Sequence, residues 1–153
     1  MALTNDIPNQ FQKKSLELIN NLVQVSSSSF FLVDSGMHHH GTVVQDTKPD
    51  IDKDYTTKYA SMDPLNPEKF HDSEVQVVTL DSQIAPHMLK QTLYYQEFMQ
   101  RYNHRYVADM FFRNEGRIVA VLSLLREESL GNFTQPELEL LKKVQPFMEY
   151  SLN

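Results

Sequence analysis

Tyr106-Val107-Ala108-Asp109-Met110-Phe111-Phe112-Arg113 and Arg117-Ile118-Val119-Ala120-Val121-Leu122-Ser123-Leu124-Leu125-Arg126 are two apolar runs parted by Asn114-Glu115-Gly116. Both are rich in Val, Ile, Leu and Phe, and the break carries a glycine for a positive backbone angle. That pattern predicts a β-hairpin with a short glycine loop. The second run is apolar on both faces, which predicts a central strand covered on both sides. Such a strand needs a layer above and a layer below.

Working outward, Thr134-Gln135-Pro136-Glu137 has a threonine cap, a proline in the first turn and a glutamate at the third position. This is a capping box opening a helix to Leu152. Leu138, Leu141, Met148 and Leu152 form one apolar stripe, and Leu140, Val144 and Phe147 form a second beside it. One side can cover a sheet while the other meets a partner chain. Pro146 inside the helix predicts a kink. At the other end, Pro8 to Val25 reads as an amphipathic helix with Phe11, Leu18, Leu22 and Val25 on its stripe, widened by Leu16, Ile19 and Val23. Ser26–Ser29 ends it, because serine competes for backbone hydrogen bonds.

Between these ends, Phe30–Asp34 predicts a first strand, Gly41–Asp46 a second, and Thr47–Ile51 a loop containing Pro49. Asp52 to Met62 predicts a short helix stopped by Asp63-Pro64, since proline disfavours helix in the residue before it. Val75–Leu80 predicts a strand, and Thr92 to Tyr102 a helix carrying Tyr95, Phe98, Met99 and Tyr102 on one face. The sum is one α+β domain of about five strands with a helix at each end.

Composition narrows the function classes. The chain has 153 residues, 41% hydrophobic and 22% charged, as an ordinary globular protein does. It has no cysteine, which removes disulfides, thiolate nucleophiles and cysteine-bound zinc. Net charge is −6 with scattered basic residues, so no phosphate-binding face is expected from this chain. No apolar run is long enough to span a membrane and the N-terminus lacks a secretory pattern, which places the expectation in the cytoplasm.

Several of these stretches resemble a known family. Leu122–Arg126, Gly131-Asn132-Phe133-Thr134 with Glu137, Leu140 and Leu141, and Gln145-Pro146-Phe147 look like the end of a GAF/PAS-like sensor domain. Such domains precede the helix-turn-helix of LuxR-type bacterial transcription regulators. Asp63-Pro64-Leu65-Asn66-Pro67, Tyr94-Tyr95, Phe98 and Arg113 fit the same pattern. The resemblance implies a five-stranded antiparallel sheet with connecting helices on one face and the N- and C-terminal helices on the other. It further implies a single sensor domain over residues 1–153, a homodimer, and a DNA-binding module following the last helix outside this chain. Acyl-homoserine lactone sensors in the family use a tryptophan, a tyrosine and an aspartate before proline. This chain has no tryptophan, and its Tyr59-to-Asp63 spacing is short, which argues against that ligand.

The candidate ligand-binding residues are Tyr55, Tyr59, Asp63, Phe70, Tyr94, Tyr95 and Phe98, because tyrosine offers an apolar wall with a hydroxyl that needs a partner. The candidate dimerisation residues are Phe11, Leu18, Leu22, Leu141, Met148 and Leu152. His38-His39-His40 reads as a polar loop, since alternate side chains of an extended chain diverge and no spacing supplies further zinc ligands. Asp109 and Arg113 share a strand face and read as a structural pair. No nucleophile elbow, phosphate loop or paired-carboxylate arrangement is visible, so no catalytic residue and no cofactor is expected. The reading is a domain that binds an unidentified small-molecule signal. Its alternatives are a free-standing α+β enzyme, a ligand carrier, or a dimerisation module with a filled cavity.

Overall fold

The computed structural model describes residues 2–48 and 50–152, with side chains from Gln10 onward. The expectations placed on Pro49 and Asn153 lie outside those residues. Strands β1 (Ser27–Val33), β2 (His39–Gln45), β3 (Val77–Thr79), β4 (Tyr106–Asn114) and β5 (Arg117–Arg126) form one sheet in the order β2-β1-β5-β4-β3. Every neighbouring pair is antiparallel. The β4–β5 hairpin closes through Glu115 and Gly116, with φ of 53° and 81°. Two positive angles give the turn whose twist matches that of the strands it joins. β5 is central, as its two-sided apolar pattern requires. Val121 packs on one face, while Ala120, Leu122 and Leu124 pack on the other.

One face is covered by helices α1 (Ala2–Leu22) and α5 (Gln135–Leu152). Leu16, Ile19 and Val23 of the N-terminal segment meet Leu141 and Met148 over a floor that includes Phe30, Phe112 and Leu122. The rings of Phe30 and Phe112 stack at 5.5 Å, and Phe11 stands edge-on to Phe30 at 5.9 Å. The capping box forms: Glu137 Oε1 accepts from the Thr134 N–H at 2.8 Å, and Thr134 Oγ1 accepts from the Glu137 N–H at 3.3 Å. α5 runs unbroken through Pro146, which lies on its exposed side.

The opposite face carries the intervening chain. α2 (Ile51–Asp54) continues through a π turn, Tyr55–Tyr59, and a 3-10 turn, Ala60–Met62. After a 3-10 turn at Pro67–Phe70 come α3 (Leu80–Gln83), α4 (Pro86–Leu89) and a π-helical segment, Tyr94–Met99. Their Leu65, Leu89, Phe98 and Met99 pack on Phe31, Phe111 and Val121 of the sheet.

Several local expectations are corrected. The serine run is strand: Ser27 and Ser28 are buried in β1, because their hydroxyls find partners in His104 and Asn20. His39 and His40 belong to β2, not to a loop. The strand expected over Val75–Leu80 shrinks to Val77–Thr79, as Leu80 already starts α3.

Candidate ligand cavity

A cavity of about 70 Å³ lies between the sheet and the helical roof. Its floor comes from the strands. Ser29 of β1 sits opposite Ser123 of β5, and Ser123 opposite Asp109 of β4, so three polar residues line up across the sheet. Phe31, Val107 and Leu125 flank that row. The roof supplies Ile51, Asp52 and Tyr55 from the α2 segment, Asp63 behind it, and Tyr94 and Phe98 from the later π-helical segment. His39 and His104 close the sides, with His39 stacked on Phe31 at 3.7 Å between ring centres.

Asp63 is the hub of the roof. Asp63 ends the Ile51–Met62 helical segment with an extended backbone, as the residue before Pro64 must. Its Oδ2 accepts from the Tyr55 hydroxyl at 2.6 Å, and its Oδ1 accepts from the Leu65 N–H at 2.8 Å. Burial pushes the Asp63 carboxyl above its usual range, against the pull of these donors. Asp109 is pushed well above the carboxylate range by burial and by the charge of Asp63, with only the Ser123 hydroxyl opposing. Its Oδ1 has no hydrogen-bond partner. Burial raises the Tyr55 and Tyr94 phenols, which therefore stay neutral donors. His104 is held neutral, its pKa lowered to about 4 by burial and then by Lys48. Its Nε2 lies 3.1 Å from Ser27 Oγ.

Of the seven candidate ligand residues, the structure brings Tyr55, Asp63, Tyr94 and Phe98 to the cavity. Tyr59, Phe70 and Tyr95 go to the packed core beside it. Tyr59 stacks on Phe98 and Phe70 packs against Phe111. Arg113 does not turn to Asp109 in the way its sequence position suggests; its guanidinium donates to the carbonyls of Val75 and Phe70. The residues that sequence reading missed are Ser29, Ser123 and Asp109. Ser123 and Asp109 are each a lone polar residue inside an apolar strand and Ser29 ends a serine run, signals that gain meaning only when the strand register aligns all three. Among the candidate dimer residues, Leu141 and Met148 are buried in the chain's own core, while Leu18 and Leu22 stay exposed. Phe147 and Tyr150, 77% and 86% exposed, are the largest apolar side chains left open on α5. No group of three His, Asp or Glu side chains suited to a metal ion occurs among the described residues, and no described helix is long and apolar enough to cross a membrane.

This architecture is shared with known sensor domains. The ligand-binding domain of VqsR from Pseudomonas aeruginosa superposes with a TM-score of 0.72 at 13% identity, over 99% of this chain and 88% of that one. A GAF domain from a GAF/HD protein of Geobacter sulfurreducens gives 0.70 at 11% identity, over 95% and 91%. Escherichia coli SdiA gives 0.58 at 14% identity, over 95% of this chain and 62% of SdiA. The chain therefore has the GAF-like fold of these domains. In sequence it is 25% identical over 139 residues to the monoamine regulon transcriptional regulator of Klebsiella aerogenes, covering 91% of this chain. The chain spans 59% of that relative's length. No family model matches the sequence.

Proposed function

We propose that this chain is the signal-sensing part of a transcription regulator, binding a small organic molecule in the cavity and passing its state to an attached DNA-binding module. The observation that carries the reading is the polar row of half-buried Ser29 and Ser123 with buried Asp109, facing Asp63 across an aromatic-walled space. A few convergent polar groups in an apolar cleft are what a specific small-molecule site needs. The relation to a regulator of a monoamine regulon, and the greater length of that relative, support the regulatory reading and the attached module.

The mechanism is a population shift. Ligand held between sheet floor and helical roof favours one packing of the roof, and it does so only by the difference in its affinity for the two packings. The sheet then transmits the bias to α1 and α5, which pack on its other face. A homodimer forms through the exposed apolar residues of those helices: Leu18 and Leu22 with Phe147 and Tyr150. The domain acts in the cytoplasm and performs no chemistry of its own.

The test is native mass spectrometry of the purified chain, followed by denaturing mass spectrometry of the same sample. The expected result is a dimer that carries extra small-molecule mass, released on denaturation. A chain that stays monomeric, holds no small molecule and shows no thermal shift with any member of a metabolite library would refute the reading.

A further inference from the structure

We infer that the cavity takes a protonated amine, with the Asp109 carboxylate on the sheet floor as its counter-ion. The inference rests on the sensor reading above and narrows it to a ligand class. Asp109 is only 5% exposed, it lines the cavity, and its Oδ1 meets no donor. Buried acceptors are almost always paired, so an unpaired one on a residue that lines a cavity points to a donor that the protein itself does not supply. Asp63, the second acid of the site, is already served by the Tyr55 hydroxyl and the Leu65 N–H. Both donors are neutral, and no lysine or arginine lines the cavity.

Charge separates the possible donors. A neutral N–H or O–H would satisfy Asp109 Oδ1 but leave the carboxyl protonated beside Asp63, with no opposite charge that lets it ionise. An ammonium answers both needs, and the faces of Phe98 and Tyr94 add a favourable surface for a cation. A metal ion would require more oxygen ligands than the described residues bring together. The space of about 70 Å³ is roughly half of the 150 Å³ that admits benzene, so an ammonium of about three heavy atoms enters without rearrangement, and isobutylamine or a ring requires the roof to move.

Burial and Asp63 hold the Asp109 carboxyl protonated more firmly than usual in the empty cavity. Amine binding therefore expels a proton, and affinity rises with pH until the amine itself deprotonates. The titratable groups facing Asp109 around the cavity are Asp63, Tyr55, Tyr94, His39, Asp52 and His104. Both tyrosines stay neutral through this range and both histidines have lowered pKa values, so no cation from the cavity wall replaces the ligand.

The experiment is isothermal titration calorimetry of the full chain at pH 7.5 with two matched pairs: isobutylamine against isobutanol, and 2-phenylethylamine against 2-phenylethanol. Each titration is repeated in two buffers of different ionisation enthalpy. The expected result is that at least one amine binds about 10- to 100-fold tighter than its alcohol, the range of one charge-assisted hydrogen bond, and releases a proton to the buffer. Asp109→Asn abolishes the preference and the proton release. The matched pairs on the unaltered chain decide the matter even where the variant does not fold. An alcohol binding as well as its amine, or a preference that survives in folded Asp109→Asn, overturns the ammonium assignment and leaves the sensor reading standing. No binding by either amine at about 10 mM also overturns it. The co-purified mass described above tests the sensor reading separately.

Discussion

His104 gives the chain a stability that is lost on acidification, and the loss follows from its position. The ring is 8% exposed at the side of the cavity, beside Ser27 Oγ. Its pKa falls from 6.5 to about 4, mainly because burial penalises the imidazolium and then because Lys48 repels it. The unfolded chain keeps the ordinary value. As pH falls through 6.5 the unfolded chain takes up a proton that the folded chain refuses, so stability present above that pH drains away until about pH 4. With about 1.36 kcal/mol per pKa unit, this single group removes roughly 3 kcal/mol by pH 4. The perturbation is His104→Gln, which has no proton to gain. Urea unfolding of both chains at pH 7.5, 6.5, 5.5, 4.5 and 4.0 measures the effect. The gap between them should shrink steadily from pH 6.5 downward in the direction that disfavours the histidine chain. Groups that titrate in both chains cancel in the difference. Parallel pH profiles for the two chains would show that His104 is not held neutral by burial and would refute the reasoning.

Three further outcomes are expected. Glu137→Ala removes the side-chain half of the capping box, in which Oε1 accepts from the Thr134 N–H, and the carboxylate against the buried Arg126, whose Nη2 lies 2.5 Å from Glu137 Oε2. It should cost about 2–4 kcal/mol by urea unfolding, and a loss below about 0.5 kcal/mol would count against the role of this node. Tyr55→Phe deletes the hydroxyl that donates to Asp63, raising the Asp63 pKa further and costing roughly 1 kcal/mol. That loss should grow as pH rises through the range where Asp63 ionises; a loss that is constant with pH, followed by urea unfolding, would contradict it. Phe147→Glu with Tyr150→Glu should leave a folded monomer, since both rings stand in solvent on α5. Light scattering after size exclusion checks this, and an unchanged dimer would move the interface elsewhere.

Much of the framework was legible in the linear chain. The two-sided apolar run of Arg117–Arg126 announces a central strand, because a strand shows both faces within two residues. Thr134 to Glu137 announces a helix start, because a capping box is made entirely of neighbours. The Glu115-Gly116 turn is legible for the same reason. The serines of β1 were not, because local preference sets serine against regular structure. Their burial depends on hydroxyl partners 8 and 77 residues away along the chain.

The cavity divides along the same line. Tyr55, Asp63, Tyr94 and Phe98 stand out in sequence as aromatic and acidic residues on short helices, and they do line the space. Which tyrosines face the cavity and which fill core was decided by π turns at Tyr55–Tyr59 and Tyr94–Met99, whose extra residue per turn rotates side chains away from helical spacing. The sequence by itself determined the sheet's central hairpin, its terminal helices and the acidic roof, since each is written in residues a few positions apart. Only the tertiary structure brought Ser29, Ser123 and Asp109 into one row and left a buried carboxylate oxygen unpaired above it. That arrangement depends on strand register, which is set by how residues distant in the chain pack across the sheet.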